Sequence, residues 1–268
     1  MNLRNKRFTP LRCALRQAAA IGFSVVVLSA ISVSARANLS FANGDFASTT
    51  AGAGQLGFNT DATDWTTNGY NFLFASGTAD TTGATGADGN LKLWGPGDGS
   101  ANGLPSSSPV GGNYVAADGA YEVGAITQTI TGLIIGQKYT IGFWWAGAQQ
   151  EGFSGANTEQ WQVSLGSEEQ STAIVDNASH GFTGWVYQSF YYTAISTTEV
   201  LSFLAVGTPT GEPPFSLLAG VSMEPGVPEP GTLALMLGGF GLMGGLGVLR
   251  SKRKSKSGLR ARRDQSPS

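Results

Sequence analysis

Between Tyr139 and Trp145 every second residue is large and apolar: Tyr139, Ile141, Phe143 and Trp145 alternate with Thr140, Gly142 and Trp144. The same period of two recurs where Trp161, Val163 and Leu165 alternate with Gln160, Gln162 and Ser164. Successive side chains of a strand point to opposite faces, so this pattern belongs to strands with one buried face rather than to a helix. Further strands are predicted over 125–130, 185–193, 200–206 and 215–223, each bounded by Gly, Pro or Asn. Short strands at this spacing predict an all-β fold, a jelly-roll β-sandwich. The segments 78–90 and 95–112 hold few apolar residues and are predicted to be long surface loops.

Charge is partitioned along the chain. Of 16 basic residues, six lie at or before Arg36, eight at or after Arg250, and only Lys92 and Lys138 between. Sixteen of the 18 acidic residues lie between Asn38 and Val227, which leaves that body a formal charge of −14. A surface of that sign repels phosphate backbones, so a nucleic-acid partner is not expected. The one cysteine, Cys13, precedes the body, so disulfides, cysteine-ligated zinc and a cysteine nucleophile are excluded there together. The 190 residues from Asn38 to Val227 are enough for a hydrophobic core without such staples.

The flanks read as targeting elements. Arg4, Lys6, Arg7, Arg12 and Arg16 precede an apolar run from Ala18 to Val33, and Ala35-Arg36-Ala37 supplies a small-x-small cleavage pattern. Residues 1–37 are therefore predicted to be a signal peptide, cut after Ala37. At the other end an uncharged apolar run, 232–249, follows Pro228-Glu229-Pro230 and precedes a basic cluster of Arg250, Lys252, Arg253, Lys254 and Lys256. As a helix that run would measure about 27 Å at 1.5 Å per residue, close to the ~30 Å bilayer core. The cluster is the charge pattern of a cytoplasmic flank. A basic tail, 258–268, closes the chain.

In this order, Pro228-Glu229-Pro230, the Gly-rich apolar run and the Arg/Lys cluster resemble the PEP-CTERM sorting signal of exported bacterial proteins. The resemblance covers the last forty or so residues. It implies transient anchoring in the inner membrane with the body outside, and recognition by an exosortase-type enzyme that cuts near Pro228, Glu229 and Pro230. The body would then pass to the cell surface or extracellular matrix.

A second resemblance spans most of the body. NLSFANGDF at 38–46 resembles the opening strand of galactose-binding-like jelly rolls, and ITQTITGLIIGQKYTIGFWWAG at 126–147 is similar to one of their hairpins. GWVYQSFYYTA at 184–194 and PPFSLLAGVSM at 213–223 resemble their late strands, although Ala219 stands where family members often carry an aspartate.

No catalytic constellation is evident. His180 is the one histidine and sits in a Ser-His-Gly turn, without a G-x-S-x-G elbow or an H-E-x-x-H motif. No cofactor is expected; Asp80, Asp88, Asn90 and Asp98 are the oxygen ligands a structural Ca²⁺ would find in the Gly-rich loops. Trp144 and Trp145 face opposite ways on a regular strand, which makes them the candidates for stacking on a ligand, with Trp65, Trp94 and Trp185 near predicted turns. The expectation is a non-catalytic exported protein of three parts: signal peptide 1–37, β-sandwich 38–227 and sorting signal 228–257. Its partners are the secretion machinery, an exosortase-type enzyme, the membrane and an extracellular polysaccharide bound weakly. A permanently membrane-anchored interaction protein and a secreted glycoside-active enzyme are the alternatives.

Overall fold

In the computed structural model the described residues are 38–226. Their elements are β1 (Gly54–Gln55), β2 (Asn71–Phe74), β3 (Ala84–Gly86), β4 (Gly89–Leu91), β5 (Tyr114–Asp118), β6 (Ile126–Thr131), β7 (Lys138–Gln149), β8 (Asn157–Leu165), β9 (Glu168–Ser171), β10 (Val175–Asn177), β11 (Val186–Thr193), β12 (Thr198–Thr208) and β13 (Pro214–Pro225). Six strands form one sheet in the order β1-β2-β5-β13-β7-β11. The second sheet runs β10-β8-β12-β6, with β9 also on β8. From β5 to β8, and again from β11 to β13, the chain changes sheet at every step, as a jelly-roll sandwich requires.

β8 shows why the alternating segments become one-sided strands. Asn157, Glu159, Trp161, Val163 and Leu165 are buried, while the residues between them are half-exposed. The buried row meets Ile141, Phe143 and Trp145 of β7 and Leu201, Phe203 and Ala205 of β12 in the core between the sheets. Trp161 is anchored at its polar edge, with Nε1–H donating to Leu217 O at 3.1 Å.

β13 follows a different rule. Residues Pro214 to Ala219 are buried without interruption, because this central strand is covered on both faces. Leu218 enters the core between the sheets, whereas Phe215, Leu217 and Ala219 enter a second core on the outer face. A bulge after Ala219 then reverses the phase, placing Val221 and Met223 back inside. Gly220 sits at that bulge with φ 56°, a conformation suited to glycine.

The second core corrects one expectation. Segments 78–90 and 95–112 are not simple surface loops: Ala79, Ala84 and Leu104, with Leu91 and Leu93 between, are buried against Phe72, Phe74, Tyr114 and Phe215. The cover works with few apolar residues because its backbone lies directly on the rings; a Cβ at Gly86 would stand 2.6 Å from the Phe72 ring. A second expectation also changes. Residues 38–46 contain no strand: backbone bonds are isolated, Ser40 N–H to Thr131 O and Val221 N–H to Gly44 O, and between them a side chain interrupts the ladder, Ala42 N–H donating to Gln128 Oε1 and Gln128 Nε2 donating to Ala42 O, at 3.0 and 2.9 Å.

Leu93→Ala tests the cover. Leu93 is fully buried, so truncation should cost about 2–4 kcal/mol in urea unfolding. A loss within about 0.5 kcal/mol, the usual surface value, would contradict a second core.

Candidate functional site

The cover closes only half of the outer face. It ends beside Val110, whose side chain lies next to Gly220 and near Trp144. Beyond it the outer rows of β7 and β11 are bare, with Trp144, Gly142 and Thr140 standing opposite Tyr187, Ser189 and Tyr191. Trp144 is half-buried and meets Tyr187 edge-on, with ring centroids 5.5 Å apart. Tyr187 is 52% exposed and Tyr191 63%. Gly142 is what lets Tyr187 lie down across β7: a side chain there would run into the tyrosine hydroxyl and Ser222. The result is an aromatic strip in which Trp144 and Tyr187 meet at 62° and Tyr191 lies further along β11, bordered by Thr140, Ser189 and Ser222.

Of the two tryptophans singled out in the sequence, the structure therefore divides the roles. Trp145 is buried between the sheets and Trp144 stands at the strip. Trp65 is buried, its Nε1–H donating to Asn43 O at 3.0 Å. Trp185 packs against the second core, edge-on to Tyr114. Tyr187 and Tyr191 went unmarked in the sequence, because only the β7–β11 register brings them beside Trp144 and Thr140.

An open cleft of about 390 Å³ lies elsewhere, between residues 100–102 and 176–183. His180 forms its wall in a left-handed conformation, φ 58°. Its N–H donates to Gln149 Oε1 at 2.7 Å, and its carbonyl accepts from Ser100 Oγ and Asn102 Nδ2, both at 2.9 Å. The ring stacks on Trp94 at 4.0 Å and its Nε2 lies 2.8 Å from Ser154 Oγ. Ser179 and Thr183 accept from the backbone N–H groups of Gly155 and Gly147. The polar groups of the cleft are thus engaged in holding it together.

Some of the loop groups are engaged in the same way, while Asp98 Oδ2 is buried without a partner. Asp80 Oδ2 accepts from Gly97 N–H at 2.7 Å, Asp98 Oδ1 accepts from Gly95 N–H at 2.8 Å, and Asn90 Nδ2 donates to Thr82 O. Asp80 and Asp98 flank one turn, while Asp88 and Asn90 belong to the β3–β4 hairpin. Among the described residues no group of three or more His, Cys, Asp or Glu is arranged to hold a metal ion.

The targeting residues Ala35, Ala37, Pro228, Glu229, Pro230, Arg250, Lys252, Arg253 and Lys254, and the apolar run 232–249, lie outside the described residues. Among the described residues no helix is long and apolar enough to cross a membrane. Residues 226–254 match the family model of the PEP-CTERM protein-sorting motif. No curated protein matches the chain. Solved structures similar to it include a CBM4 module, 16% identical over 70% of this chain and 100% of that one, TM-score 0.32. The K2 cleaved adhesin domain of Lys-gingipain is 13% identical over 68% and 97%, TM-score 0.36. The CBM22-1 xylan-binding domain from Paenibacillus barcinonensis is 10% identical over 68% and 91%, TM-score 0.33. Likenesses this loose carry no argument about ligand or site.

Beneath the cleft a carboxyl is buried without a cation. Glu159 Oε1 accepts from Asn177 Nδ2 at 3.3 Å, and Oε2, facing Gly147, has no partner. Burial raises its pKa from 4.5 to about 8; the Asn177 hydrogen bond lowers it, and Asp176 raises it further. Asp118 is likewise raised by burial to about 6, against the N–H groups of Ala120 and Tyr121. The folded state holds protons that the unfolded chain releases, so stability falls as pH rises from about 4.5 to 8 and then levels off. Calorimetry should find a lower Tm at pH 8 than at pH 5. Glu159→Gln should flatten that slope and raise Tm at pH 8; an unchanged slope in the variant would contradict the assignment.

Proposed function

We propose that the chain is an exported, non-catalytic surface protein whose β-sandwich is delivered by a removable C-terminal anchor and contacts an extracellular polysaccharide through the bare aromatic strip. The signal peptide is removed after Ala37. The run 232–249 then holds the body at the membrane, with Arg250, Lys252, Arg253 and Lys254 on the inner side. An exosortase-type enzyme cuts near Pro228-Glu229-Pro230 and releases the body. The sorting part of this reading is supported by the motif match at 226–254.

The ligand part is supported by one observation: apolar packing covers the outer sheet face as far as Trp144, which is half-buried at its edge, and Tyr187 and Tyr191 beyond it are exposed. Contiguous exposed rings of this kind mark interaction surfaces more often than scattered apolar residues do. Tyr187 and Tyr191 are four strand residues apart, roughly 13 Å, so a linear polymer meets both where a single sugar does not.

Intact-mass analysis of protein from the cell surface tests the delivery. The expected product begins near Asn38 and ends before residue 232; a surface product retaining 232–249 would contradict release and indicate a permanent anchor. For the ligand, the double variant Trp144→Ala with Tyr187→Ala should weaken retention on the organism's extracellular polysaccharide about tenfold, or 1.4 kcal/mol. Trp94→Ala, on the cleft, should leave it unchanged. Equal retention of all three proteins would sink the strip as the binding surface.

A further inference from the structure

The chain enters and leaves the body at the same pole. Ser40 N–H donates to Thr131 O at 3.1 Å, and Asn38 packs against Gly132. At the other junction Gly226 N–H donates to Lys138 O at 2.7 Å, while Gln137 Nε2 donates to Gly226 O at 2.9 Å. Two turns, 132–137 and 194–197, form this pole. They follow from the register, since β7 begins at Lys138 opposite Thr193 and β12 begins at Thr198 opposite Thr131. Hydrogen bonds join the turns directly: Leu133 N–H to Thr197 O, Ala194 N–H to Gln137 O and Gly136 N–H to Ala194 O.

These two turns hold three isoleucines out into solvent. Ile134 is 45% exposed, Ile135 64% and Ile195 66%. Their exposure is built in rather than frayed. Ile134 N–H donates to Tyr139 Oη at 2.9 Å, and the buried Glu199 accepts from Ile195 and Ser196 N–H at 2.7 and 2.8 Å. Neither turn contains a charged residue, although the body carries −14, and Lys138, one of its two lysines, begins the adjoining strand. The carboxylates nearby are Glu199, turned inward; Glu168, which accepts from Thr193 N–H; and Glu224, opposite Thr140 on β13. Thr232, where the apolar run begins, is six residues beyond Gly226, a reach of at most about 20 Å.

From this juxtaposition we propose that the pole docks on a lipid surface, with Ile134, Ile135 and Ile195 entering the headgroup boundary while the chain is anchored. The inference rests on the membrane-anchor reading of 232–249. It explains why apolar side chains are presented on rigid, uncharged turns at the end nearest the bilayer, and it fixes the body's orientation. The far pole, with the β12–β13 turn at Thr210, then stands away from the membrane by the length of β7, about 35 Å.

The test uses the anchored form that remains after cleavage at Ala37, residues 38–268, which contains no cysteine, reconstituted in phosphatidylethanolamine/phosphatidylglycerol vesicles. A fluorophore is placed at Thr197→Cys or Thr210→Cys, and nitroxide-bearing lipid is the quencher. The expected result is flotation of both proteins with the vesicles, strong lipid quenching at 197 and none at 210. Adding Ile134→Ser, Ile135→Ser and Ile195→Ser should abolish quenching at 197 without loss of flotation. Failure to float overturns the anchor reading and the docking with it. Flotation without lipid quenching at 197 overturns the docking alone.

Discussion

The burial of β13 on both faces is the constraint from which the rest of this molecule follows. A central strand reading Phe215-Ser216-Leu217-Leu218-Ala219 cannot leave either face in water, so the sandwich needs a third layer. That layer is the excursion between β2 and β5, which supplies Ala79, Ala84, Leu91, Leu93 and Leu104. Its abundance of Gly and Ala suits close backbone approach to aromatic rings rather than loose looping. Where it stops, the sheet changes character. The Gly220 bulge returns Val221 and Met223 to the inner core, and the outer rows of β7 and β11 remain uncovered.

Stability in such a body rests on packing, since it has no thiol and two lysines against sixteen carboxylates. Lys92 reaches Glu151 at 4.0 Å, a partly exposed pair that contributes little. Aromatic clusters do more. Phe203 meets Phe143, Trp161 and Trp65 within the inner core, and Tyr70, Phe72 and Phe215 form a chain in the outer one. The carboxylates that are buried rely on backbone amides or on a proton. Glu159, which has neither cation nor backbone donor, is the clearest case.

Alternation was the legible part of the sequence. β7 and β8 fall on the segments it marked, and β6, β11, β12 and β13 fall on the predicted segments bounded by Gly, Pro or Asn. The second core was also written there, but as unbroken apolar runs: Phe72-Leu73-Phe74, Val115-Ala116-Ala117 and Leu217-Leu218-Ala219 have no polar row to alternate with. The cover over them is nearly invisible, because alanines and glycines within a polar stretch look the same whether or not they touch a ring. Residues 38–46 resembled a strand by motif, yet at Ala42 the Gln128 side chain takes the place of a ladder partner, a substitution that only the tertiary structure reveals. The site was half legible. Trp144 could be placed on one face from parity alone, whereas Tyr187 and Tyr191 join it through the β7–β11 register, which no local pattern specifies.

The proposed delivery and the proposed recognition thus occupy different parts of one body: the sorting-motif match begins at Gly226, at the pole, and the strip lies along the side of the sheet. The most direct measurement of this division is amide chemical-shift mapping of the released body during titration with the extracellular polysaccharide. Shifts concentrated in residues 140–144, 187–193 and 220–224 are the predicted result. Shifts centred on the cleft at 176–183, with β11 unaffected, would contradict it.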